Sequence, residues 1–324
     1  MSGPAPESLP NFFIIGASKA GTTSLYKYLQ AHPQVFMSVP KEPTFFGSEG
    51  TSGLFHGPHD EDRAYHSRVI TTIEQYTALF DGVKDEKAIG EASIFYLYFP
   101  KAPEQIQKYV PQAKMFAVLR NPADRAYSAY LHTVRQARER RSFEEALQLE
   151  PERIRKNWNS LWHFKAMGFY YEQLKRYFDR FGREQVHVYL YEDLQKKPLQ
   201  LIKEVLEILE IDSSSFVPDM SRRFKESYVP KKPALEMFLH QTQYKIVMSR
   251  RYLPGPLAWR TKYMVSALER VAAKNRTVPP RMREETQVAL LNDYRDDILR
   301  LGDLLRRDLT HWCNSVPAEV AGAR

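Results

Sequence analysis

Residues 12–15 are four apolar side chains in a row, Phe-Phe-Ile-Ile, closed by Gly16. A run this short and dense predicts a strand over 11–16 buried on both faces. After ASKAG comes TTSLYKYLQ, which predicts a helix ending near His32, because Pro33 disfavours a helical residue before it. KMFAVL, residues 114–119, predicts a second buried strand. Asn121 is a good N-cap and Pro122 a good first helical residue, so a helix should run from there through Ala126, Ala129 and Tyr130 toward Ala137. A helix over 168–181, a third strand over 185–191, a helix over 198–209 and a turn over 213–216 follow. From 284 to 309 a stripe of Leu291, Tyr294, Ile298, Leu301 and Leu305 predicts a long amphipathic helix. Strands alternating with helices predict an α/β fold of three layers, a central parallel sheet flanked by helices, with ligands at the carboxyl ends of the strands.

Composition narrows the class. The 324 residues are 43% apolar and 27% charged, and 37 Phe and Tyr with 4 Trp can fill a core, which excludes a disordered chain. No uncharged apolar stretch approaches the roughly 18 residues of a membrane span. The first residues, MSGPAPESLPN, lack the basic flank and apolar core of a secretory signal. One cysteine, Cys313, excludes an intramolecular disulfide and a cysteine-built metal site, and these features together suit the cytoplasm. The expected organisation is a flexible stretch over 1–10, one domain over 11–312 and a flexible tail over 313–324. Charge is uneven. Residues 218–283 carry 15 Lys and Arg against 4 Asp and Glu, while the whole chain is only +8. The excess predicts an anionic partner near that segment, which is expected to act as a lid or to border the acceptor site.

Strand, then Gly16-Ala-Ser-Lys-Ala-Gly21-Thr22-Thr23, then helix is the layout of a phosphate cradle, which makes the fold P-loop-like. The spacing matches a Walker A loop, but Thr22 stands where that loop needs lysine, and the lysine sits inside the loop as Lys19. The strand over 114–119 ends in Arg120 rather than an Mg²⁺-binding aspartate. Glu192 and Asp193, after the third strand, are a weak candidate for that role and a better one for capping the turn that follows. Arg120 and Ser128 together suit a phosphate monoester; the residues alone equally allow a surface ion pair for Arg120 and a filler role for Ser128. Glu42, in KEPTFF, reads by itself as a surface charge beside Lys41. No metal site is expected: His32, His56, His59, His66, His132 and His163 show no ligand spacing.

The combination resembles the sulfotransferases that use 3′-phosphoadenosine 5′-phosphosulfate (PAPS). FIIGASKAGTTSLYKYLQAHP resembles the family's 5′-phosphosulfate loop and FAVLRNPADRAYSAY its 3′-phosphate motif. VPKEPTFFG resembles the segment carrying the catalytic glutamate in the heparan-sulfate-type and related bacterial branches. The helix–strand unit GFYYEQLKRYFDRFGREQVHVYLYEDL and the C-terminal helix are also similar, so the likeness covers 11–312. It implies Lys19, Ala20, Gly21, Thr22, Thr23 and Ser24 around the 5′-phosphosulfate, Arg120 and Ser128 at the 3′-phosphate, and Glu42 as catalytic base. RRFKESYVPKK resembles the loop closing over the 3′-phosphate, with Lys231 where many bacterial members show arginine and Lys225 in place of the usual asparagine. Ala92 stands where heparan-type members carry lysine, so heparan-like acceptor contacts do not carry over. With one cysteine and no N-terminal anchor, the implied branch is bacterial and cytoplasmic.

The implied reaction is metal-free sulfuryl transfer from PAPS to a hydroxyl or amine, releasing adenosine 3′,5′-bisphosphate. Lys19 would stabilise the leaving phosphate and Glu42 would take the acceptor's proton. Phe45 and Phe46 are expected to give Glu42 dry walls that raise its basicity. Glu91, Ser93, Tyr96 and Tyr98 are expected to follow a strand end and to line the acceptor pocket, the two tyrosines being equally readable as core, and His132 or His163 could assist. The acceptor is open among carbohydrate, lipid and small-molecule alcohol, with neither nucleic acid nor a membrane span expected. The alternatives are a P-loop phosphotransferase or nucleoside triphosphatase, and a non-catalytic polyanion-binding protein using 218–283.

Overall fold

In the computed structural model, the described residues are 9–49, 55, 57, 70–136, 138–214, 216–219, 228–249 and 259–314. Five parallel strands form the central sheet: β1 (Phe12–Gly16), β2 (Val35–Met37), β3 (Ala88–Ala92), β4 (Lys114–Leu119) and β5 (Val186–Leu190), in the order β2-β3-β1-β4-β5. Nine helices of eight residues or more are described. They are α1 (Thr22–Gln30), α2 (Ala102–Tyr109), α3 (Pro122–Arg135), α4 (Phe143–Arg155), α5 (Tyr170–Phe181), α6 (Pro198–Ile208), α7 (Pro233–Ser249), α8 (Arg260–Lys274) and α9 (Glu284–Leu305). A short antiparallel pair, β6 (Val229–Pro230) and β7 (Arg276–Thr277), brackets α7 and α8.

The inner strands are apolar because both faces of the sheet are covered. Every residue of β1 is buried, as are five of the six in β4. Phe12 lies opposite Gly90 on β3 and Lys114 on β4, and Leu119 lies opposite Leu190 on β5. Gly90 is required at its crossing: a Cβ there would stand 2.2 Å from the Phe12 ring and 2.7 Å from the Met37 sulfur. Because all five strands run the same way, Gly16, Met37, Ala92, Leu119 and Leu190 end on one edge. The chain leaves β1 toward β2 on one side and returns through β3 to β4 on the other, so the connections part at the end of β1.

The expected helix starts are present. Asn121 Oδ1 accepts from the amides of Ala123 (3.0 Å) and Asp124 (3.3 Å) at the head of α3, with Pro122 in the first turn. In α9, Leu290, Leu291, Tyr294, Ile298 and Leu301 face the core, and Arg306, at φ 53°, ends the helix short of 309. Asp297 of α9 caps the neighbouring helix α5, accepting from the amides of Tyr170 (2.8 Å) and Tyr171 (3.2 Å).

Two regions differ from the sequence reading. β2 falls outside the predicted strands, since VFM is three residues long, and β3 runs through Glu91 to Ala92, past the strand end expected before Glu91. Within the basic segment α7 and α8 pack on each other, while β6 and α7 pack on α3. Residues 220–227 and 250–258, the first half of the expected closing loop 222–232 among them, lie outside the described residues, as do His56, His59 and His66.

Candidate active site

The loop between β1 and α1 is built as a cradle. Ala17 donates its amide to Val118 O (2.8 Å), tying the loop to β4. Gly21 is the N-cap of α1 at φ 89°, and no side chain caps that helix. The first amides of a helix have no intrahelical acceptor, so this end of α1 presents N–H groups and a positive dipole to the sheet edge. Only glycine fits the corner: a Cβ on Gly21 would lie 2.7 Å from Leu194 Cδ2 and 3.1 Å from the Tyr191 ring. Ala20 and Thr22 are buried, and Lys19, Thr23 and Ser24 are half-buried. Lys19 holds φ 67°, a left-handed conformation that costs a non-glycine residue about 1–3 kcal/mol.

Arg120 joins this cradle directly. Its Nη1 donates to Lys19 O across 3.4 Å, and its guanidinium lies 5.0 Å from the centre of the Tyr191 ring. Its own carbonyl accepts from the Tyr170 hydroxyl at 3.0 Å. Arg120 and the Gly16–Ser24 loop are thus brought together, as the sequence predicts. Tyr191 was not among the predicted residues, although its place directly after β5, on the shared edge, marks it in the sequence. Ser128 is half-buried about two turns into α3. Lys231 is exposed and donates its amide to Asn275 O (2.6 Å), next to β6.

Glu42 reaches the same edge from beyond β2. Its amide donates to Ala92 O at 3.0 Å, and its backbone is left-handed at φ 68°; Thr44 follows at φ 55°. Two further bonds fasten this segment to the end of β3, Thr44 N–H to Ser93 Oγ (3.0 Å) and Phe46 N–H to the Tyr96 hydroxyl (3.2 Å). Lys41 Nζ lies 2.7 Å from Glu42 Oε1, with the two side chains 17% and 35% exposed. The expected aromatic walls are absent. Phe45 and Phe46 turn into the core, where Phe45 stacks on Tyr76 at 4.6 Å and Phe46 packs edge-on to Tyr96 at 5.8 Å.

The dry carboxyl is Glu91. It is fully buried within β3, and Oε2 accepts from the hydroxyls of Tyr76 and Tyr96, both at 2.9 Å. Burial pushes its pKa up to about 7, against the pull of its hydroxyl partners and the Lys41 ammonium. Ser93 and Tyr96 are fully buried too, so Glu91, Ser93 and Tyr96 support the Glu42 segment from beneath and do not line an open pocket. Tyr98 instead pairs its hydroxyl with His163 Nδ1 at 3.0 Å. Burial takes His163 down to about 4, which keeps it neutral. His132 Nδ1 is bonded to Arg135 (2.8 Å), and His32 packs on Phe216.

The Mg²⁺ alternative finds its carboxylates committed elsewhere. Asp193 accepts from Leu190 N–H (3.1 Å), the expected capping role, and binds Arg307 through both oxygens at 2.7 and 2.8 Å. Glu192 accepts from the Trp312 indole at 2.7 Å. Among the described residues no three His, Cys, Asp or Glu side chains converge as a metal site, and no helix is long and apolar enough to cross a membrane.

A family model described as the sulfotransferase domain matches residues 9–246. The crystal structure of a sulfotransferase from Alicyclobacillus acidocaldarius is 34% identical in sequence, with a TM-score of 0.72, over 95% of this chain and 100% of that one. The chain is also 26% identical over 291 residues to the membrane-associated sulfotransferase kil1 of Dictyostelium discoideum, spanning 65% of this chain and 58% of that protein. It is 34% identical over 128 residues to the bifunctional heparan sulfate N-deacetylase/N-sulfotransferase 4 of Mus musculus, which is 39% of this chain and 13% of that protein. The chain therefore spans less than two thirds of the length of these two curated relatives.

Proposed function

The chain belongs to the sulfotransferase domain family, and from that premise we propose that it transfers a sulfuryl group from PAPS to a hydroxyl or amine of an acceptor. The observation carrying this reading is a pair of left-handed non-glycine residues, Lys19 and Glu42, both on the carboxyl edge of the sheet. Such conformations persist where the surroundings over-determine them, and they cluster at functional sites. Each is fastened from outside its own turn, Lys19 O by Arg120 and Glu42 N–H by Ala92 O.

The residues suit the donor. The uncapped head of α1 and the Gly21 corner offer amides to a 5′-phosphosulfate, with Lys19 beside them. Arg120, bonded to the same loop, suits the 3′-phosphate, with Ser128 and Lys231 as its further proposed contacts. In the proposed reaction the acceptor oxygen or nitrogen attacks sulfur and its proton passes to Glu42. Lys41 engages Oε1, which leaves Oε2 to take that proton. The bond from sulfur to the bridging 5′-phosphate oxygen breaks, and its electron pair stays on the phosphate, where Lys19 and the α1 amides stabilise the charge. The products are a sulfated acceptor and adenosine 3′,5′-bisphosphate.

A screen of carbohydrate, lipid and small-alcohol acceptors with labelled PAPS, read by the mass of one added sulfuryl group, tests the reading. Transfer to one class that stops in Glu42→Gln supports it. Release of bisphosphate with no sulfated product in any class would count against it.

A further inference from the structure

Most of the large apolar side chains that the described residues leave exposed lie between Phe238 and Val278, on α7 and α8 or flanking α8. α8 shows why. Thr261, Val265, Leu268 and Ala272, spaced four, three and four apart, turn inward: Thr261 and Ala272 are buried and the other two half-buried. The outward arc runs from Tyr263 (65% exposed), directly opposite, to Val271 and Met264 (53%) on one flank, and Trp259 (53%) packs edge-on to Tyr263 at 5.1 Å just before the helix. Arg260, Arg270 and Lys274 share that outward arc at helical spacing, while the acidic Glu269 falls to its side. An exposed apolar arc set among cations differs from an ordinary solvated helix face, whose outward positions are polar.

We propose that the outer face of α8 with Trp259 docks the protein on an anionic lipid surface. The helix would lie in the interface rather than cross it, which fits its length and charge. Tyr and Trp favour the headgroup level because each has an apolar body and a polar tip. Charge selects this occupant over a second copy of the chain. The surrounding segment 218–283 has 15 Lys and Arg against 4 Asp and Glu, so two copies meeting here would repel, whereas anionic headgroups would be attracted. The segment leading into α7, which packs on α8, is tied to the fold: the Tyr228 ring lies 5.2 Å from the guanidinium of Arg135 on α3 and 4.3 Å from that of Arg276 on β7. Docking would therefore hold α3, the helix of Ser128, near the lipid. The inference does not depend on the identity of the sulfate donor.

The test is co-sedimentation of the full chain with vesicles of phosphatidylcholine alone or mixed with phosphatidylglycerol. The wild type should sediment with the mixed vesicles, less so as salt rises, and not with neutral ones. The double variant Tyr263→Ser/Met264→Ser should lose about tenfold or more of the partition, since each side chain buries apolar area in lipid. Arg260→Glu/Lys274→Glu should abolish it. Both pairs are exposed, so unchanged melting temperatures will show that folding is intact. Absence of wild-type binding to the mixed vesicles, or equal binding by the double variants, overturns the proposal. So does a wild-type dimer in sedimentation velocity that Tyr263→Ser/Met264→Ser returns to monomer, because the face would then belong to a second copy.

Discussion

Glu91 accepts a 2.9 Å hydrogen bond from the hydroxyl of Tyr96, and neither side chain reaches solvent. The same hydroxyl oxygen accepts from the Phe46 amide. The carboxyl therefore fixes where the tyrosine proton points and leaves its lone pair for the backbone that follows Glu42 and Thr44. One buried acid thus supports the strained turn that presents the proposed base.

Removing the Tyr96 hydroxyl strands two buried groups, the Phe46 amide and one Glu91 contact. Tyr96→Phe should cost about 1–3 kcal/mol in denaturant unfolding. It should lower kcat more than it weakens bisphosphate binding, because the cradle stands on β1 and β4. An unchanged kcat would show that the Tyr96 bond does not position Glu42.

The raised pKa of Glu91 has a definite sign in stability. Its folded pKa of about 7 lies above its unfolded value, so the folded state binds more protons between roughly pH 4.5 and 7. Stability from this group is full below that window and is lost as pH rises through it. Glu91→Gln lacks the ionisation, so its stability relative to wild type should improve from pH 5 to pH 8, by on the order of 2–3 kcal/mol. Denaturant melts of both proteins at the two pH values check this. A constant difference would mean that Glu91 does not titrate there.

Gly21→Ala meets a left-handed backbone and a 2.7 Å contact with Leu194 at once. It should destabilise by roughly 1–3 kcal/mol and weaken bisphosphate binding, as the head of α1 shifts. Normal affinity in calorimetry would remove this corner from the donor site.

Much of this was legible in the sequence because it is written in dense local signals. β1 and β4 are uninterrupted apolar runs, and Asn121-Pro122 marks the start of α3. The Gly16–Thr23 spacing foretold the glycine corner between β1 and α1, and Arg120 at the end of β4 foretold a side chain beside that loop. What stayed hidden depends on contacts far apart in the chain. Glu91 meets Tyr76 fifteen residues away, and Phe46 meets Tyr96 fifty residues away. The direction of Phe45 and Phe46, into the core rather than around Glu42, follows from how the Thr44 turn folds back on β3. The full extent of β3 was obscured by Gly90 and Glu91, which it carries for packing and support.

The two proposed catalytic groups should separate in kinetics. Glu42→Gln should lower kcat by roughly 10²–10⁴-fold with little change in bisphosphate affinity, and should remove the acid limb of kcat/KM. Lys19→Ala should impair both binding and turnover. If Glu42→Gln turns over an acceptor at near wild-type rate, another group is the base.

Calorimetry of adenosine 3′,5′-bisphosphate against the full chain, without magnesium, tests the central claim most directly. The account predicts clear binding, a much weaker signal with ATP, which lacks the 3′-phosphate, and a loss of about 1.5–3 kcal/mol in Arg120→Ala. Equal affinity for ATP and the bisphosphate, or an Arg120→Ala variant that binds as tightly as wild type, would contradict a two-ended nucleotide site at this sheet edge.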